Sequence, residues 1–576
     1  MKRFLTLSAL SVALASPLAA QYRTESFQVT NGWNSFFLNV DPEGQTFEEI
    51  LADSPDVLQV WQWTPSEVDP SLIRPDRDAL SEWRVWRRGD AGGSTITGPI
   101  PNTAYLVELG ENASQQVFSI KGKAVEPQVQ FRTDGLNFVG FPMKTGSTLQ
   151  LNRYLAGAGL FDNNTTVLRY IGGPLADGVN PVERPANLVL AQRNEAFWVR
   201  SDQFTNFYGP LEVDVALDDG LNFGDSGALR RLVITNRTDV ELSVVLTPVD
   251  SEPGIDGGPA PTAPTLTVQG RDEETGRLIY TPFGSSQRLT IPARRKGGIT
   301  VAVDRASLGG AAGTTFAGLL KIEDQQANGD ATTEIYLPIT AEQGGLAGLW
   351  LGEAHISQVQ SRLQKFRRDE DGALVLGEDG QAIPLSEQEA GLANTAQTFK
   401  LRLLVHRDAA GQATLLSQAF VGVDGGGDPV IGTTESVLDS TKLAEARRLT
   451  TSHFPLDMVE DLSGALAPGG SLATTVVLGE NHKSNPFLHT YHPDHDNKDA
   501  RFNSTPLPAG IESHRIERAI TINFDATDLT GVGPAWGGSV LTGEFAETIT
   551  GLHKQTLQTS GPVAFSKITD IETLNR

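Results

Sequence analysis

No cysteine occurs in the 576 residues. No disulfide can therefore brace the fold and no cysteine is present to carry a lipid anchor, so each module has to be held by its own core. Long apolar runs are also missing: beyond the first residues, no stretch approaches the roughly 20 apolar positions of a membrane helix. Three signatures of catalysis are absent, Gly-x-Ser-x-Gly, His-Glu-x-x-His and a Gly-rich phosphate loop. Positive charge is scarce, with 46 Lys and Arg against 70 Asp and Glu and a formal net charge of −24. An acidic excess of this kind repels nucleic acid and anionic lipid, so neither is an expected partner, while calcium is compatible with it.

What is present reads as a mainly β, multi-domain chain. Fifty-nine glycines and 32 prolines with 20% charged residues suit short strands joined by many turns. The length suggests about three or four domains. Lys2 and Arg3, the apolar run Phe4 to Leu14 and the small residues Ala13-Leu14-Ala15 and Leu18-Ala19-Ala20 have the order of a secretory signal peptide over 1–20. The expected location is therefore outside the cytoplasm: periplasm, cell surface or medium.

Two segments match block for block. Gly32-Trp33-Asn34 with Phe36-Phe37-Leu38 answers Gly135-Leu136-Asn137 with Phe138-Val139-Gly140-Phe141. Val60-Trp61-Gln62-Trp63 answers Val167-Leu168-Arg169-Tyr170, and Asn102 to Val107 answers Asn194 to Val199. The common order predicts tandem repeated β-rich modules over 21–125 and 126–216. Short helices are expected at Phe47 to Leu51 and Leu149 to Leu155. The Gly-Trp-Asn opening, the Val-Trp-x-Trp strand and the strand at Ala104-Tyr105-Leu106-Val107 resemble tandem modules of exported bacterial surface proteins, a group with no known activity. The resemblance implies a structural or accessory module and brings no catalytic residue.

From 217 to 344, alternating apolar runs such as Leu242, Val244 and Leu246 predict an immunoglobulin-like β-sandwich, with Asp250 to Pro264 as a long exposed loop. Region 345–576 is expected to be a larger β domain of barrel-like build, with a helix at Thr441 to Leu449. Its Gly348-Leu349-Trp350 resembles the first strand of the lipocalin barrel, which implies a mouth able to hold a small apolar ligand; the plain alternative is that Trp350 is core.

Two sets of residues are candidates for function. All nine histidines lie between His355 and His553, and the densest cluster is His489, His492, Asp494, His495, Asp496 and Asp499. Imidazoles suit zinc and carboxylates suit calcium, but Pro493 breaks any helix that would align the three imidazoles, and Lys498 occupies a position where a calcium loop needs an oxygen. The plain alternative is a polar loop stapled by His492 or His495 against Asp494, Asp496 or Asp499, with no open coordination site. This stretch, too, resembles one found in exported bacterial proteins of similar build. The second set is Trp61 and Trp63, on one face of a strand, either stacking on sugar rings or lying in a buried aromatic face. Glu544 and Glu547 are acids of the kind a glycosidase uses, in a chain where acids are too common to single them out. The expected activity is binding or surface assembly with a cell-surface polysaccharide or another envelope protein, and no cofactor. Alternatives are a ligand- or metal-binding, even hydrolytic, carboxyl-terminal domain, or a purely structural envelope component.

Overall fold

The computed structural model describes residues 21–64, 83–131, 135–159, 165–176, 179–190, 192–201, 205–216, 220–227, 229–325, 332–389, 393–451, 459–479, 482–483, 485, 515–551 and 556–576. The chain divides into two compact units. The first takes residues up to Gly224 with Ala228–Asp304 and Thr314–Glu342; the second takes Asp225–Gly227, Arg305–Gly313 and Gln343–Arg576. Among the described residues no helix is long and apolar enough to cross a membrane. The expected signal peptide, 1–20, lies outside the described residues.

The first module opens with β1 (Tyr22–Val29), β2 (Gly32–Leu38) and β3 (Val40–Asp41), followed by α1 (Phe47–Ile50). It continues with β4 (Val57–Trp63), β5 (Trp83–Arg87), β6 (Thr103–Leu109) and β7 (Gln116–Ala124). One sheet runs β2-β6-β4-β5 and the other β1-β7-β3. Phe27, Phe36, Phe47, Tyr105 and Phe118 fill the core. Four residues are too few for a self-supporting helix. Thr46 and Glu49 therefore cap α1 reciprocally, and Phe47 anchors it in the core.

The second module holds β8 (Gln130–Phe131), β9 (Gly135–Gly140), α2 (Leu151–Leu155), β10 (Thr166–Arg169), β11 (Val182–Pro185), β12 (Ala196–Ser201) and β13 (Thr205–Asn206). Its sheet order is β9-β12-β10-β11. Taken with the matched sequence blocks, this is the order of the first module's larger sheet, strand for strand.

The sandwich is built from two five-stranded sheets. Its strands are β14 (Leu211–Val215), β15 (Leu221–Asn222), β16 (Leu229–Asn236), β17 (Leu242–Val249), β18 (Leu266–Arg271), β19 (Leu278–Pro282), β20 (Gln287–Ile291), β21 (Lys296–Val303), β22 (Thr315–Gln325) and β23 (Glu334–Glu342). The sheets run β14-β16-β21-β18-β19 and β15-β23-β22-β17-β20. Leu242, Val244 and Leu246 are buried, as their period-2 spacing requires. β14, which the sequence boundary at 216 leaves with the second module, pairs along its length with β16. The loop after β17 is pinned at its start rather than exposed throughout: Ser251 is buried, and Glu252 accepts from the backbone N–H and hydroxyl of Thr24 at 3.0 and 2.6 Å.

The second unit contains β24 (Gly348–Phe366), β25 (Pro384–Glu389), β26 (Ala393–Arg407), β27 (Ala413–Leu416), β28 (Gln418–Val423), β29 (Pro429–Gly432) and β30 (Arg447–Thr450). It ends with β31 (Val459–Gly464), β32 (Ser471–Leu478), β33 (Ile516–Phe524), β34 (Val540–Thr550), β35 (Leu557–Thr569) and β36 (Leu574–Asn575). Eight of these run in the order β24-β26-β27-β31-β32-β33-β34-β35, and β35 pairs back onto β24, which closes a barrel. Closure removes the open sheet edge. The curvature is made at glycines: a Cβ on Gly561 would stand 1.9 Å from the His355 carbonyl oxygen, and one on Gly543 2.1 Å from that of Asn523. Inward residues pack one core, with Trp350, Phe524, Phe545 and Phe565 as its largest members. A small sheet of order β30-β28-β29-β36 covers the outward Leu349, Leu404 and Leu416.

The helix expected at Thr441 to Leu449 is not there. Leu443–Glu445 forms one 3-10 turn, and Arg447–Thr450 pairs with β28. Nine residues nucleate a helix poorly, and the strand instead packs Leu449 against the barrel wall.

Candidate functional site

His489, His492, Asp494, His495, Asp496 and Asp499 lie outside the described residues, in the connection between β32 and β33. Among the described residues, no group of three His, Cys, Asp or Glu side chains is placed to hold a metal ion. Two other histidines do structural work. His406 is buried, with Nε2 at 3.1 Å from the Ile571 carbonyl oxygen; burial lowers its pKa despite that bond. His355 contacts Glu353 at 2.7 Å, and Glu353 is shared with Lys400.

Trp61 and Trp63 belong to a strip of rings that crosses from one module to the other. Trp33 touches Trp61 with centroids 6.4 Å apart, and Trp61 touches Trp83 at 6.3 Å. Trp63 and Trp83 both meet Trp198 of the second module, at 5.0 and 6.0 Å, and Trp198 stacks on Phe138 at 4.7 Å. Successive rings from Trp33 to Trp198 are tilted by 59–72°, so they do not form one plane. Phe138 is buried, whereas the tryptophans remain half-buried. Arg87 lies over the Trp61 face at 5.6 Å.

Backbone contacts hold the strip together. The free edge of β2 bonds to the second module: Trp33 N–H donates to Gly173 O at 2.9 Å and Phe37 N–H to Asn194 O at 3.2 Å. An otherwise open sheet edge is thereby covered. Gly140 is the contact point of the faces, since a Cβ there would lie 2.2 Å from Phe37 Cβ and 2.8 Å from Glu195 O. Gly140→Ala is expected to lower stability by about 1–3 kcal/mol through overpacking. Urea unfolding would check it, and a loss below about 0.5 kcal/mol, the scale of an ordinary surface change, would contradict this close approach.

A charge cluster joins both modules to the sandwich. Glu25 of β1 contacts Arg23 at 2.9 Å and Arg193 of the second module at 3.0 Å. Arg193 in turn contacts Glu334 of β23 at 3.1 Å and donates to Met143 O at 3.0 Å. The Glu25 and Arg193 side chains are 1% and 5% exposed. Arg23 sits 3.8 Å above the Tyr336 ring. Burial alone would raise the Glu25 carboxyl, but Arg193 and Arg23 overcome it and hold it below the usual carboxylate range. The available sequence signal was the phase of Glu25, which shares the inward face of β1 with Phe27 and Val29.

Inside the barrel, Arg518 and Glu547 form a two-pronged pair, its second contact at 3.1 Å, with both side chains largely buried. Thr559 stands opposite Glu547 in register, and its hydroxyl is buried without a hydrogen-bond partner. Glu544, three positions earlier on β34, is exposed, so strand alternation sets the two glutamates on opposite sides of the wall.

No protein-family model and no curated protein matches the chain. Among solved structures it is similar to PapD-like domain 7 of human CEP192, at 11% identity and a TM-score of 0.15, over 24% of this chain and 86% of that one. It is similar to the E. coli chaperone DraB, at 9% identity and 0.15, over 36% and 89%. It is also similar to BcpA, the major pilin subunit of Bacillus cereus, at 9% identity and 0.14, over 76% and 95%.

Proposed function

We propose that the chain is an exported, non-catalytic β protein of tandem repeated modules that binds a cell-surface polysaccharide through module faces. The observation that carries this reading is the aromatic strip from Trp33 to Trp198. Partly open indole rings supply apolar area at little entropic cost, and sugar rings present matching C–H faces. Rings tilted in succession suit a twisted single chain better than a flat crystalline surface. The cross-module charge cluster supports the same reading, because it uses buried charge to hold the strip's two halves in register.

The test uses purified chain and soluble cell-wall polysaccharides. Retention in affinity gels is expected, together with no release of reducing ends. The Trp61→Ala, Trp63→Ala double variant is expected to lose retention at least tenfold, which is about 1.4 kcal/mol, with its circular dichroism unchanged. Unchanged retention would remove the strip from the account, and released reducing ends would remove the non-catalytic reading. Retention by an envelope protein with no glycan affinity would make the chain an assembly component.

A second reading rests on the polar pair in the barrel. An eight-stranded barrel can enclose one small ligand, and Arg518, Glu547 and Thr559 would fix its polar end. Native mass spectrometry of the purified chain, before and after organic extraction, should then show a lost mass.

A further inference from the structure

A small cavity sits where the first module meets the second and the sandwich, walled by Arg23, Asn39, Pro142, Arg193, Glu334 and Tyr336. Asn39 is 5% exposed, and neither its side-chain nitrogen nor its oxygen has a hydrogen-bond partner. Turning the amide over exchanges one orphan for another, so no flip resolves it. Arg193 Nε is a third orphan, although both terminal nitrogens of the same guanidinium are bonded. Buried polar groups are nearly always satisfied, by protein or by ordered water.

The surroundings define the guest. Arg23 and Arg193 balance Glu25 and Glu334, so the site selects neither cation nor anion. The orphans comprise two donors, Asn39 Nδ2 and Arg193 Nε, and one acceptor, Asn39 Oδ1, so the guest has to both accept and donate. The space accommodates about one water, and the number of polar partners is what a buried water requires.

We propose that an ordered water is an integral part of this junction, accepting a hydrogen bond from Arg193 Nε and bonded to the Asn39 amide. It bridges the first module to the second beside the ion cluster and gives Asn39 and Arg193 Nε the partner they otherwise lack.

A crystal structure of the full chain, at a resolution that shows ordered solvent, decides it. The expected result is a density peak within hydrogen-bond distance, about 2.7–3.2 Å, of both Arg193 Nε and an Asn39 side-chain atom. No peak there would overturn the proposal. Asn39→Leu keeps the size and removes both amide atoms, so the bridging bonds are lost and the melting temperature should fall by about 2–4 °C. A rise in melting temperature, the outcome when two orphaned polar atoms are simply deleted from a dry site, would also overturn it. If the leucine variant does not fold, the density in the unsubstituted chain is sufficient.

Discussion

Arg193→Met is expected to destabilise the first unit by about 3–5 kcal/mol, the cost of leaving a buried charge without its partner. The methionine fills much of the space of the arginine stem, so the loss is electrostatic more than steric. Glu25 would keep only Arg23, and Glu334 would lose its ion pair with the second module. Urea unfolding followed at the module tryptophans would measure the change. Arg193→Lys should recover little, because one ammonium cannot reproduce contacts made from two ends of a guanidinium. A loss under about 1 kcal/mol, the value of a surface pair, would show that the cluster is solvated.

The same cluster sets a pH dependence with a definite sign. Glu25 is held below its unfolded value, so its contribution is fully present above about pH 4.3. It is lost as pH falls through the depressed folded value. The stability difference between the unsubstituted chain and Arg193→Met should therefore be constant near neutrality and shrink on acidification below about pH 4. A difference that instead widened in acid would reverse the assignment of Glu25 as the stabilised anion.

In the second unit the largest effect is expected at Trp350. Its ring is fully buried among the inward residues, and its indole N–H donates to Leu346 O at 2.9 Å. Trp350→Ala is expected to cost about 3–5 kcal/mol from the cavity alone. Trp350→Phe restores most of the volume but orphans the carbonyl, and should cost about 1–3 kcal/mol. Denaturant titrations followed by far-ultraviolet dichroism would check both. Equal losses for the two variants would mean that the hydrogen bond, not the packed ring, carries the residue's contribution.

The mainly β class was legible because alternation is local: Leu242, Val244 and Leu246 announce both their strand and its inward face. The barrel was legible only through Gly348-x-Trp350, since its closure depends on β24 meeting β35 some 200 residues later, a pairing that no local pattern encodes. The false helix at Thr441 to Leu449 has the opposite origin. Good helix formers read as a helix there, and tertiary pairing with β28 overrode a weak propensity. Trp61 and Trp63 were singled out by residue type, but their tilted contacts with Trp33, Trp83 and Trp198 come from β2, from the paired strand β5 and from the second module. The cluster of Glu25, Arg193 and Glu334 left a single trace, a charge in phase with Phe27 and Val29. Its partners stand 168 and 309 positions away in a chain with many charges, so nothing local marked them.

If the charge cluster and the backbone contacts act together, the two modules and the sandwich form one locked body that holds the aromatic strip in register. Native-state hydrogen exchange on the full chain tests this most directly, by comparing peptides from β2, β12 and β23 across low urea concentrations. The protected amides of all three should open with one free energy, equal within about 0.5 kcal/mol, because the pairs of Arg193 with Glu25 and Glu334 tie the two modules to the sandwich. Opening of β9 to β12 several kcal/mol below β22 and β23 would contradict it, and would mean that the second module is a hinged appendage whose half of the strip is not held in place.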